Sequence, residues 1–159
     1  MRELQLTING EDHTEAIEPG VILRDFLRSD VGLTGTKEGC DTGKCGVCTV
    51  LLDGEPIKSC LLLAHQAAGK EVTTIEGLDD QVDADLHPIQ QAFVDSFASQ
   101  CGYCIPGMVT ASVGILDQFE DPSREEIRGA LNGNTCRCTG YRKIVDAIES
   151  VAQSDAETE

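Results

Sequence analysis

The run Gly35-Thr36-Lys37-Glu38-Gly39-Cys40-Asp41-Thr42-Gly43-Lys44-Cys45-Gly46-Val47-Cys48 crowds three thiols among closely spaced glycines. The thiols are too close in sequence for a helix to present them together, so this stretch has to be a loop that winds around something bound. Gly39, Gly43 and Gly46 permit positive φ and close backbone approach. N–H groups freed in such a loop can point at sulfur, where they raise the reduction potential of a bound centre. A fourth thiol, Cys60, follows soon after Cys48.

Cys40, Cys45 and Cys48 read C-x4-C-x2-C, the plant-type 2Fe–2S spacing. A second quartet lies downstream: Cys101 and Cys104 as C-x2-C, answered by Cys136 and Cys138 as C-x-C. Cys101 and Cys104 precede a predicted helix that starts near Pro106, and a helix N-terminus favours the charge gained on reduction. Arg137 stands between Cys136 and Cys138 as a further source of positive charge. On spacing alone this second quartet suits a structural zinc as well as iron, whereas the first favours iron. Thioredoxin-like chemistry at Cys101 and Cys104 would leave Cys136 and Cys138 unexplained. Two quartets predict two clusters and an electron relay.

The bulk properties agree. The 159 residues carry a formal charge of -16, spread evenly over both halves, which argues against nucleic-acid binding. The start, MRELQLTING, has no apolar leader core, and no stretch approaches membrane-spanning length, so a cytoplasmic location is expected. In a reducing compartment eight cysteines point to metal and not to disulfides. With 4% aromatic residues and no Trp, two halves of about 80 residues bury small cores that clusters would staple.

Leu4, Leu6 and Ile8 alternate with polar residues as a strand, followed by a turn at Asn9–Asp12 and a second strand near Thr14–Ile17. Val21 to Arg28 carries a helical apolar stripe. Asp53-Gly54 signals a hairpin between Val50–Asp53 and Pro56–Lys58, and Val72–Ile75 closes the sheet. Residues 1–78 therefore read as a β-grasp domain, 79–85 as an acidic linker, 86–153 as a four-helix domain and 154–159 as a polar tail. In the helical part, Pro88–Ser99 places Ile89, Phe93 and Phe97 on one face, and Pro106–Phe119 places Met108, Val109, Val113 and Leu116 together. Ser123-x-x-Glu126 is a capping box, and Tyr141–Val151 supplies the last helix. The fold class is α+β. His13, His65 and His87 have no ligand spacing, and Asp41 and Lys44 read as solvated loop charges.

With both quartets in place, the chain resembles the iron–sulfur subunit of the molybdenum hydroxylases, the xanthine dehydrogenase family, over almost its whole length. The resemblance rests on GTKEGCDTGKCGVCTV at 35–50, QCGYCIPGM at 100–108, NTCRCTGY at 134–141 and the short interval from Cys48 to Cys60. Ile105 departs from the threonine many relatives carry at that position. The resemblance implies a plant-ferredoxin-like β-grasp domain with a distal 2Fe–2S cluster on Cys40, Cys45, Cys48 and Cys60. It implies a helical domain with a proximal 2Fe–2S cluster on Cys101, Cys104, Cys136 and Cys138. Cys138 and Gln100 would contact a molybdopterin. That cofactor, with molybdenum, would sit on a large partner subunit and FAD on a medium one, in a dimer of heterotrimers. The chain would be part of an oxidoreductase while holding no substrate site itself. Two other readings are a free ferredoxin-like carrier and a zinc-stapled binding module.

Overall fold

The structure is a computed structural model that describes residues 1–79 and 86–156. The predicted linker, apart from Asp79, lies outside the described residues. β1 (Arg2–Ile8) and β2 (Glu11–Ile17) form an antiparallel hairpin. Its turn is only Asn9-Gly10, with φ of 51° and 79°, so Glu11 and Asp12 belong to the strand and not to the turn. The second hairpin, β3 (Thr49–Leu52) and β4 (Glu55–Lys58), turns through Asp53-Gly54 with φ of 51° and 84°. Positive φ at both central residues gives the turn twist that matches the strands, and Asn-Gly or Asp-Gly supplies it cheaply. β5 (Glu71–Thr73) runs parallel to β1 and antiparallel to β3, giving the order β2-β1-β5-β3-β4. β2 is the edge: its charged residues are exposed and only Ile17 is buried, which keeps that edge from pairing further.

The predicted helix at Val21–Arg28 is α1 (Leu23–Asp25) continued by a π-helical stretch, Phe26–Val31. Gly32, at φ 88°, ends it in the left-handed conformation. Leu23, Phe26 and Leu27 are fully buried against Leu4, Leu6, Ile8, Val50 and Val72. The helix thus packs one face of the sheet and delivers the chain to the thiol loop. Arg28 Nη1 fixes that delivery by donating to the carbonyls of Thr34 at 3.0 Å and Thr36 at 2.9 Å.

The other face is covered by the helical half: α2 (Pro88–Asp95), α3 (Ile105–Gln118), α4 (Arg124–Ala130) and α5 (Arg142–Ala156). α3 is the central helix, buried from Gly107 to Ile115. Its internal hydroxyls are satisfied locally, Thr110 donating to Pro106 O at 2.9 Å and Ser112 to Met108 O at 2.7 Å. The capping box forms as expected, the Ser123 hydroxyl accepting from Glu126 N. α5 continues through Ala156, into the first residues of the polar tail.

The apolar face expected over residues 88–99 is shorter than its period. α2 stops at Asp95, and Phe97, at φ 50°, is 76% exposed with Lys143 Nζ 5.5 Å from its ring centroid. Phe97 therefore does not share the buried face of Ile89 and Phe93. The two core clusters meet at β3. Val50 packs with the α1 side, whereas Leu51, the next residue of β3, packs with Val47, Leu78 and the helices. Successive strand residues point to opposite faces, so one strand is shared by two cores.

Candidate metal centres

All eight cysteines are free thiols, and they lie in the two kinds of loop that the spacing required. Cys40 and Cys45 lie on the irregular loop that follows the π-helical stretch, Cys48 immediately before β3, and Cys60 in a 3₁₀ turn, Ser59–Leu61, after β4. Both the N–H and the hydroxyl of Ser59 donate to Cys48 O, at 3.2 and 2.7 Å, and this brings Cys60 back to Cys48. Lys58 Nζ donates to Gly43 O at 2.8 Å. A Cβ on Gly39 would stand 2.9 Å from Cys45 Sγ and 2.8 Å from Val47 Cγ2, so the room at that sulfur exists only with glycine. Cys104 caps the N-terminus of α3, with Cys101 just before it. Cys136 and Cys138 follow the 3₁₀ turn Leu131–Gly133.

Cys101 Sγ and Cys138 Sγ are 3.6 Å apart. Cys45 N donates to Cys40 Sγ at 3.3 Å. The remaining thiols are near enough to shift one another's ionisation, Cys136 acting on Cys104 and Cys48 on Cys60. Among the described residues, no three or more His, Cys, Asp or Glu side chains converge as one metal ion would need. A tetrahedral zinc draws four sulfurs to one point. Two irons bridged by sulfide take two thiolates each, and a two-plus-two arrangement of soft donors fits that group.

The electrostatics follow the pairing. Bonds from the N–H and hydroxyl of Thr42, then from Cys45, hold Cys40 down at about 6. Its partner Cys45 is raised, mainly by burial. Burial and then the Cys48 thiol push Cys60 up to about 11, and burial with the Cys136 thiol pushes Cys104 up to about 12. Burial opposes ionisation of Cys136, but bonds from the Thr139 hydroxyl and N–H bring it below the usual range. The neighbouring Cys101 thiol raises Cys138. Cys45, Cys60, Cys104 and Cys138 thus hold their protons more tightly than a free thiol, and metal binding must release them.

The two loops touch. Thr135 N donates to Cys45 O at 2.7 Å, which joins the residue before Cys136 to the first quartet. Buried Asn134 donates from Nδ2 to Gly46 O at 3.0 Å, Gly107 O at 3.0 Å and Thr49 Oγ1 at 3.2 Å. Tyr103 OH donates to Glu38 O. Tyr141, at φ 67°, accepts at its hydroxyl from Cys136 N at 2.9 Å.

Cys101 and Cys138 are exposed, as are Gln100 and Arg137, so this pair and its flanks face outward. Cys104 and Cys136 are buried in the core cluster against which Cys45 packs. Asp41 is not a free loop charge: it pairs with Arg24, whose side chain is 6% exposed and which also binds Asp25 at 2.6 Å. His87 caps α2, its Nδ1 accepting from Ile89 N at 3.3 Å. Asn134, Thr139, Tyr141 and Arg24 act at the loops without having been singled out in the sequence. Only the first three lie in a motif that could have drawn attention to them.

Residues 6–74 match the 2Fe-2S iron-sulfur cluster binding domain family, and residues 74–149 match the 2Fe-2S binding domain family. The small FeS subunit of nicotinate dehydrogenase from Eubacterium barkeri is 46% identical over 91% of this chain and 91% of its own length. The quinoline 2-oxidoreductase structure from Pseudomonas putida 86 superposes with a TM-score of 0.91 at 45% identity, covering 99% of this chain and 96% of that one. The aldehyde oxidoreductase from Desulfovibrio gigas gives a TM-score of 0.92 at 39% identity, covering 100% of this chain but 18% of the other.

Proposed function

Since this chain belongs to the family of small iron–sulfur subunits of the molybdenum hydroxylases, we propose that its two thiol quartets carry electrons between a molybdopterin on a large partner and FAD on a medium one. Cys40, Cys45, Cys48 and Cys60 hold one 2Fe–2S cluster, and Cys101, Cys104, Cys136 and Cys138 hold the other. When bound, these clusters supply one-electron redox chemistry, and the chain's own residues set their spacing, access and charge. The domains divide within residues 79–85.

The observation that carries the reading is the gathering of four thiols on each of two loops joined by the Thr135 N–H to Cys45 O bond. Cys104 and Cys136 are buried in the core cluster against which Cys45 packs, while Cys101 and Cys138 are exposed, as a partner-facing pair needs to be. In this reading Gln100 and Cys138 meet the molybdopterin. Relatives named for nicotinate and for aldehydes share this architecture, which supports placing substrate choice on the large subunit. The complex is a cytoplasmic dimer of heterotrimers. Among the described residues no helix is long and apolar enough to cross a membrane.

Metal analysis with reduced-state EPR tests the ligand assignment. About four irons per chain and two distinct 2Fe–2S signals are expected. Stoichiometric zinc, or iron for one cluster only, would overturn it. Co-purification of large molybdenum-binding and medium FAD-binding chains tests the partners. A monomeric carrier fully active alone would overturn that part.

A further inference from the structure

Thr139 follows the C-x-C of the second quartet and has no metal-ligating group, yet its side chain makes two bonds that fix its hydroxyl proton. Tyr141 N donates to Thr139 Oγ1 at 3.2 Å, filling an acceptor position on that oxygen. Thr139 Oγ1 itself lies 3.1 Å from Cys136 Sγ, and Thr139 N lies 3.4 Å from the same sulfur. A thiolate sulfur can only accept, so the hydroxyl donates to it. Tyr141 is anchored in turn: its hydroxyl takes the Cys136 N–H at 2.9 Å and donates to Asn134 O at 3.4 Å. The donor is therefore built into the loop and is not a freely rotating surface hydroxyl.

We infer that Thr139 is a positioning residue that raises the electron affinity of the cluster held by the second quartet, through its hydroxyl bond to Cys136. Reduction adds one electron and no proton, and part of the added negative charge reaches the thiolate sulfurs. A donor already aimed at one sulfur stabilises the reduced form more than the oxidised one. Cys136 is buried, and the residue before it bonds Cys45 of the first quartet.

The inference rests on the proposed two-cluster reading, and one experiment separates the two. In an EPR-monitored redox titration of the cluster-loaded full chain, the wild type should give two one-electron signals. Thr139→Val should lower the midpoint of one by about tenfold in the electron-uptake constant, about 59 mV for a one-electron couple. Thr139→Ser should restore it to within about threefold, and the other signal should stay in place in both variants. An unmoved midpoint in Thr139→Val with both signals present, or an equal fall in Thr139→Ser, would overturn the role of Thr139. Fewer than two signals in the wild type would instead count against the two-cluster reading. Because valine can disturb packing, Thr139→Ala carries the same expectation. Deuteron ENDOR of the reduced wild type in D2O should show a hydroxyl-type exchangeable coupling at that cluster. Its absence would overturn the inference even if both variants lost the cluster.

Discussion

The amide of Thr135 donates to the carbonyl of Cys45 at 2.7 Å, bonding the residue that precedes Cys136 directly to a residue of the other quartet. The two loops are therefore one structure, and a change at their seam should affect both. Asn134 is the next residue at that seam.

Asn134→Leu leaves the buried Gly107 carbonyl without its side-chain donor and removes one of the donors to Gly46 O. Gly107 O stays in the α3 ladder and Gly46 O keeps its Thr49 donors, so what is lost is the side-chain bonding, about 0.5–1.5 kcal/mol. A denaturant titration of the holo chain, followed by visible cluster absorbance, should show that loss, with both clusters released in one transition.

Two glycines predict opposite signs. A Cβ on Gly107 would lie 2.5 Å from Gly46 O and 3.0 Å from the Val47 backbone, with no flexible side chain to yield. Gly129, exposed on α4, has nothing within 4 Å of a Cβ. Gly107→Ala should destabilise by about 1–3 kcal/mol through overpacking. Gly129→Ala should stabilise by about 0.5–1 kcal/mol through helix propensity. Thermal melts of the two variants against wild type decide both.

Arg24 and Arg124 each bind two carboxylates but differ in burial, their side chains being 6% and 35% exposed. Arg124→Met should cost little, and about 1 M salt should erase the difference. Arg24→Met should cost about 1–2 kcal/mol, the lower part of the buried range because Asp25 and Asp41 remain half-exposed and regain water. That cost should survive salt, and the first cluster should be lost before the second.

Cys48→Ser and Cys136→Ser should each remove a different EPR signal and leave about two irons per chain. Iron analysis with EPR of the two variants assigns the signals to the loops. Removal of both signals by one substitution would contradict independent sites.

Much of this was legible in the sequence because the signals were local. Asn9-Gly10 and Asp53-Gly54 state their own turn geometry, and Ser123 with Glu126 states a helix start. The thiol spacing locates both loops. What escaped depended on partners far along the chain. Nothing near Asp41 announces Arg24, and nothing near Asn134 announces Gly46. Phe97 kept the helical period beyond a helix that stops at Asp95 without a glycine or proline to mark the end. The choice between zinc and iron at the second quartet rests on the match of residues 74–149 to a 2Fe-2S binding domain, which cysteine spacing by itself does not encode.

Val50 and Leu51 face opposite cores, so β3 is a party wall between the two halves. A piece cut off at the linker would carry a sheet with one greasy face open to water, and the helical remainder would lose part of its floor. The separation of the two redox loops is thus fixed by neighbouring residues of a single strand and not by a hinge. Tolerance to drift is confined to the outer surfaces, where partners dock. The interval an electron must cross is held as rigidly as the backbone that spans it.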